Sequence, residues 1–326
     1  RTLMVRWGDW VGPAGLVFLA ILTLLAASPR WLMRPAPGEV PGTAALRSPM
    51  RASVLPSAAR ALAGLLRGFA RLSLLAMGAA LLIDDTLRGN TLAQLRWFAG
   101  VFLLPEAVAA CVVAAYSATV SVEGSALVLR RGRRRLDIAL KDINAATLWR
   151  VPAPGPGLSL RLNSEAGPPR HLATPDPLAL GRALAAAGCP SLAAATSFTG
   201  RYAEAVGSVR RARLDKPWVK FALFPLLLAL PAFYLHQNIA YGGGLGEFYT
   251  FGAKAYGLTF AIWWAAWTVG VVLSAAALRA VVEAGTVLTL AVRPNRAADV
   301  RAMLERITLA LLYLGLPGWL LLHAGW

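Results

Sequence analysis

The chain has 326 residues, 57% of them hydrophobic and only 15% charged, with a formal net charge of +17. Soluble domains carry about 45–50% apolar and about 25% charged residues, so an ordinary water-soluble globule is excluded and lipid must absorb the excess. The two cysteines, Cys111 in an apolar stretch and Cys189 beside Pro190, have no partner at metal-ligand or redox spacing, which points away from a disulfide framework, a zinc site or any other metal.

The first predicted span is Val11–Ala27, ending at Ser28-Pro29, where proline removes a donor and biases its predecessor out of the helix. The stretch from Pro35 to Pro56 is rich in Pro, Gly and Ala without a period and reads as a loop or surface-lying linker. Helix resumes near Ser57 with Arg60, Arg67 and Arg71 among Leu and Ala, a basic amphipathic lead into the second span, which ends at Ile83. A polar turn at Asp84–Gly89 joins it to the third, Leu95–Tyr116, and so short a joint predicts antiparallel neighbours. The fourth, Val219–Leu235, contains Pro225 and Pro231 and is predicted to be kinked or broken. Next come the fifth, Tyr256–Leu278, carrying Trp263, Trp264 and Trp267, an amphipathic stretch from Asp299 to Arg306, and a sixth span, Ile307–Leu322, interrupted by Gly315 and Pro317. The fold class is therefore a membrane all-α helical bundle of about six transmembrane helices with a small β-rich insert.

Sidedness follows from the basic residues, because loops rich in Lys and Arg stay on the cytoplasmic face. The stretches 30–71, 130–220 and 279–306 hold 28 of the 33 lysines and arginines, and all three fall on one side of the predicted bundle. The expected arrangement is a multi-pass protein of the bacterial inner membrane with the insert in the cytosol and both termini in the periplasm. The same distribution explains the net charge without nucleic acid, which is not expected as a partner.

Between Ala118 and Gly188 the hydrophobic period changes from helical to alternating, the sign of strands packed on one face. Val120, Val122, Leu127 and Leu129 bracket a Gly124-Ser125 turn; a second turn at Gly132 sends Leu136, Ile138 and Leu140 to one face. Ile143 to Trp149, Gly157 to Leu162 and Arg170 to Ala173 read as further strands, and Asp176 to Ala187 as an Ala/Leu helix ending at Gly188. The turn glycine in RRGRRR, the run IALKDINAATL and the ending GLSLRLN…LATPDPLALGRALAAAG together resemble the bacterial pleckstrin-homology-like domains often fused to membrane helices. That resemblance implies a cytosolic PH-like domain over 118–190; five or six strands are legible where a full barrel of the family has seven. The remaining units are helices 1–3 with a basic cytosolic loop over 1–117, a basic linker over 191–217, and helices 4–6 over 218–326.

Candidate sites stand beside plainer readings. Arg130, Arg131, Arg133, Arg134 and Arg135 cluster at a predicted hairpin tip, where guanidinium groups suit phosphate headgroups or an acidic partner; a solvated tip that enforces topology is the plainer account. Glu106 is an acid inside a predicted span, either a relay, a partner to a polar residue on another helix, or a protonated packing residue after Pro105, the last being favoured. His236, Gln237, Asn238, Glu247 and Lys254 fall in an external segment with Gly242–Gly244 and several aromatic rings, a default surface or re-entrant loop with binding as the sharper alternative. Gly64 and Gly68 form a weak helix-dimer motif.

No phosphate-loop, dinucleotide, zinc-protease or nucleophile-elbow pattern is present in a usable context, and no cofactor is expected. The expected function is a non-catalytic accessory or scaffold protein whose PH-like domain meets anionic lipids or a partner membrane subunit. A solute or lipid transporter using Glu106 and broken helices, and an enzyme acting on lipid-linked substrates, are the alternatives.

Overall fold

The computed structural model describes residues 49–163, 170–189, 197–209 and 212–318. The predicted first span, Val11–Ala27, and the last residues of the sixth lie outside them.

Strand β1 (Met50–Leu55) leads through Pro56 into helix α1 (Ser57–Ile83), a short α2 (Asp85–Gly89), α3 (Thr91–Trp97) and α4 (Leu104–Ala115). The sheet then resumes with β2 (Ser117–Glu123), β3 (Ala126–Arg131), β4 (Arg134–Ala139), β5 (Ile143–Leu148), β6 (Gly157–Leu162) and β7 (Arg170–Ala173), closed by α5 (Pro177–Ala186). The seven strands run in the order β4-β3-β2-β1-β7-β6-β5, every neighbouring pair antiparallel.

Two sequence expectations change here. The residues before Pro56 do not all form a linker: Met50–Leu55 is the central strand, with Ala52 opposite Ala118 and Val54 opposite Leu172. Six residues are too few for a persuasive alternation, and both partner strands lie far downstream, so the pairing is invisible locally. The sheet is accordingly no insert beginning at 118. A two-span helical hairpin interrupts it between β1 and β2, with the single residues Pro56 and Tyr116 as joints. The Val54 N–H donates to the Tyr116 carbonyl at 3.0 Å, tying the two joints together and leaving little freedom between sheet and hairpin.

Alternation explains the sheet core. Val120, Leu127, Leu129, Ile138, Ile143, Leu158, Leu160 and Leu172 are buried, and Leu180 and Leu184 of α5 close over them. Asp176 caps α5 by accepting from the Ala179 N–H at 2.8 Å, the usual role of an N-cap acid. Gly132 turns β3 into β4 at φ +56, a left-handed position open to glycine. Leu136, expected inward with Ile138 and Leu140, stays 44% exposed because it lies at the start of the edge strand β4, beyond the core's reach.

Past the linker come α6 (Phe198–Ser208), α7 (Phe224–Tyr241), α8 (Gly246–Val292) and α9 (Ala297–Ala310). Among the described residues, four helical stretches are long and apolar enough to cross a membrane: Ser57–Ile83, Thr91–Ala115, Val219–Tyr241 and Gly246–Val292. Only 11–28% of their most apolar windows is buried within the protein, so their outward faces are suited to lipid.

Proline shapes these helices, though not by breaking them. Three π-helical turns, Phe98–Leu103, Val219–Leu223 and Leu311–Gly315, each end two residues before a proline, at Pro105, Pro225 and Pro317. A proline ring clashes with the carbonyl four residues back and offers it no N–H, and a widened turn relieves both. The fourth span, Val219–Leu235, reads in sequence as kinked or broken, and of the two the break is absent. Instead α7 runs through Pro231 to Tyr241, where Gly242 at φ +74 ends it. Helix α8 passes a break at Gly252, φ +85, and then continues about 60 Å at 1.5 Å per residue, twice what a bilayer core needs.

Candidate functional site

The arginine hairpin, the Glu106 site and the His236–Lys254 segment fall in separate parts of the fold. The hairpin tip joins β3 to β4 beside the end of α4. Arg131 Nη2 donates to the Ala115 carbonyl at 2.8 Å, and its guanidinium carbon lies 5.2 Å from the Tyr116 ring centroid. This contact seats the tip where the chain leaves the third span. The five arginines are not equivalent. Arg130 pairs with Glu123 at 3.3 Å, while Arg135 pairs with Glu123 at 3.2 Å and Asp137 at 2.8 Å. The hydrogen bond and charge of Asp137 raise the Arg135 pKa above its ordinary value. Arg131, Arg133 and Arg134 face no carboxylate among the described residues, and they carry the unneutralised charge of the tip.

Glu106 on α4 meets Arg67 on α1, Oε1 to Nε 2.9 Å. Of the readings weighed for this residue, the geometry is that of a pair between helices. Arg67 also donates to the Pro154 carbonyl in the β5–β6 loop. Ser73 Oγ donates to the Val101 carbonyl at 3.0 Å, and the two contacts together confirm the antiparallel register of the hairpin. Gly64 faces the same loop: a Cβ placed on it would lie 3.4 Å from Ala153 Cβ, so the small residue lets the β5–β6 loop come close to α1 at this position.

Below Arg67 the sheet lies along the first turns of α1. His171 Nδ1 and Ser159 Oγ are 2.8 Å apart, His171 Nε2 and Ser57 Oγ 3.2 Å, and Trp149 Nε1 donates to Ser159 Oγ at 3.0 Å. Arg60 stacks 4.1 Å over Trp149. Burial first, and then the Arg60 charge, lower the His171 pKa below its ordinary value.

The segment expected as an external loop is largely helical, because α7 extends to Tyr241 and α8 begins at Gly246. It brings Gln237 and Glu247 together. Gln237 Nε2 donates to Glu247 Oε2 at 2.6 Å, Thr259 Oγ1 donates to Glu247 Oε1 at 2.6 Å, and the Glu247 N–H donates to Gln237 Oε1 at 3.2 Å. Gln237 and Glu247 are both buried, and the carboxylate is met on both oxygens, which fits it to hold the turn closed. His236 instead packs its ring 5.1 Å from Trp263, Asn238 donates to the Tyr234 carbonyl at 2.8 Å, and Lys254 is exposed. No group of three His, Cys, Asp or Glu side chains is placed to hold a metal among the described residues.

One cluster has no counterpart among the sequence candidates. Arg301 of α9 is fully buried and forks onto Glu283 of α8, Nη2 to Oε1 2.9 Å and Nη1 to Oε2 3.0 Å. Its Nε reaches Glu305 at 3.1 Å, and Arg279 bridges Glu283 at 2.6 Å and Glu305 at 3.3 Å. Tyr202 of α6 donates to Glu283 Oε2 at 2.6 Å; burial and this bond push its pKa up to about 12. Pairing on every side offsets the cost of burying so dense a set of charges where the last turns of α8 meet α6 and α9. The i,i+4 pairs Arg279–Glu283 and Arg301–Glu305 were visible in sequence as helix pairs; their convergence was not.

Comparison with family models, curated proteins and solved structures finds no match to the chain.

Proposed function

We propose that this chain is a non-catalytic membrane accessory or scaffold protein. Its sheet unit, a pleckstrin-homology-like domain strapped to two spans, presents an arginine hairpin to anionic headgroups on the cytosolic side of a bacterial inner membrane, with both termini on the opposite side. The observation that carries this reading is the place of the tip: Arg131 is seated on the last carbonyl of a candidate span, and Arg133 and Arg134 beside it face no carboxylate among the described residues. Seven antiparallel strands closed by a C-terminal helix support the pleckstrin-like assignment. Each basic residue near an anionic leaflet contributes about 1 kcal/mol, and Arg133 and Arg134 are the two that give up no internal ion pair or backbone bond when substituted.

The test uses the full chain reconstituted in vesicles with spin-labelled phosphatidylglycerol or phosphatidylcholine. The wild type is expected to retain the anionic lipid in excess, more so at low salt. Arg133→Gln with Arg134→Gln should reduce that excess several-fold. An undiminished preference for the anionic lipid in the double variant overturns the reading.

A further inference from the structure

The β5–β6 loop, Arg150 to Pro156, stands apart from the arginine hairpin and rests on α1 beside the Arg67–Glu106 pair. It reads RVPAPGP. Three prolines, at 152, 154 and 156, remove three backbone donors, and the Ala153 N–H is spent on the Val151 carbonyl at 2.8 Å. The Pro154 carbonyl accepts from Arg67. Each proline removes one N–H that would otherwise need a partner near lipid, and the Val151, Pro154 and Pro156 carbonyls are already paired within the protein. At its outer edge Val151 is 66% exposed, followed by exposed Pro152.

The level of the loop follows from the hairpin it touches. Crossing a hydrocarbon core takes about 20 helical residues. Counted back from Ile83 on α1, and forward from Thr91 through α4, that distance reaches the neighbourhood of Gly64 and Ala110. Ala153 abuts Gly64, and Pro154 meets Arg67 one turn further in, so the loop sits at the bilayer boundary. Leu62 and Leu65, on another face of α1 at the same level, are 50% and 74% exposed, as lipid-facing residues would be. Flanking Arg150 is exposed and is a residue type suited to the headgroup zone.

We infer that the β5–β6 loop is a membrane-inserting wedge: Val151 and Pro152 enter the boundary between headgroups and acyl chains of the leaflet around α1, while Arg150 stays among the headgroups. The occupant of this surface is lipid, because the loop packs against a candidate span at Gly64 and Arg67, beside the exposed Leu62 and Leu65. The inference deepens the proposed membrane-docking role but concerns apolar insertion rather than charge, so the two can fail separately.

The experiment places a nitrobenzoxadiazole label on Val151→Cys in a Cys111→Ser, Cys189→Ser background of the full chain, reconstituted in purely zwitterionic phosphatidylcholine vesicles. Pro152→Cys serves as a second site, and Leu65→Cys as a lipid-facing comparator. Quenching by a shallow doxyl lipid is expected within about two-fold of that at Leu65, with iodide quenching at least five-fold below that of free dye. Iodide quenching near the free-dye value at both loop sites, without doxyl quenching, overturns the wedge. Equal failure at Leu65 overturns it as well, by misplacing the boundary. Protection from iodide without doxyl quenching would assign the surface to protein and likewise defeat the proposal. Because no anionic lipid is present, failure here leaves the arginine hairpin untouched, and loss of anionic preference in Arg133→Gln/Arg134→Gln leaves the wedge untouched.

Discussion

Replacing Arg301 by alanine tests whether the packed ends of α8 and α9 are held by their ion network. The wild-type guanidinium makes four contacts of 2.9 to 3.2 Å, to both Glu283 oxygens, Glu305 and Thr286. Truncation opens a cavity at a fully buried position and leaves two carboxylates with Arg279 as their shared cation. Removing one partner of a buried ion pair costs about 3–5 kcal/mol. Glu283 and Glu305 keep 31% and 23% of their side-chain surface, so water recovers part of that cost. The lower end, roughly 3 kcal/mol, is the working value. At about 2–4 °C per kcal/mol, the apparent Tm in detergent should fall by roughly 6–12 °C. Loss of monodisperse protein on heating, followed by size-exclusion chromatography, reads this out. Adding Glu283→Gln to Arg301→Ala should restore part of the loss, because it removes the stranded charge. A fall of less than about 2 °C in Arg301→Ala would show that these contacts do not hold the helices together.

Two further outcomes follow from the sheet. His171 has a pKa held below its usual 6.5 by burial and then by Arg60, so the unfolded chain binds the proton more tightly. Its contribution is complete above pH 6.5 and is lost as pH falls through the lowered folded-state value; thermal stability should drop on acidification, and His171→Gln should flatten that limb. An acid limb identical in both proteins would count against the docking of His171 on α1. Gly157→Ala would place a Cβ 2.4 Å from the Leu172 carbonyl oxygen and 2.9 Å from the Trp149 ring. Backbone cannot yield to that clash, and a cost of about 3 kcal/mol is expected, measured as a fall in Tm. Gly68→Ala, with open space around it inside α1, serves as the uncrowded control, expected to hold or raise the Tm, and equal Tm values for both variants would contradict the packing described.

Much of this protein is written in short-range pattern. Apolar runs long enough to cross a bilayer, the alternation of Val120, Leu127, Leu129, Leu158 and Leu160, and the turn glycines at 124 and 132 each act within a few residues of chain, so hydropathy and period expose them directly. Four of the expected spans correspond to long apolar helices, and the strands from β2 to β7 lie close to their expected bounds. The central place of Met50–Leu55, the meeting of Arg67 with Glu106 and Pro154, and the junction of Tyr202, Glu283 and Arg301 depend on residues tens to more than a hundred positions apart. Even the arginine hairpin, plain as composition, is divided by Glu123 and Asp137 into neutralised and free charges only once the strands are in register. Local sequence determines which segments leave water and which alternate; which polar groups then find one another is decided by packing, because a buried charge takes its partner from whatever the fold brings within about 3 Å.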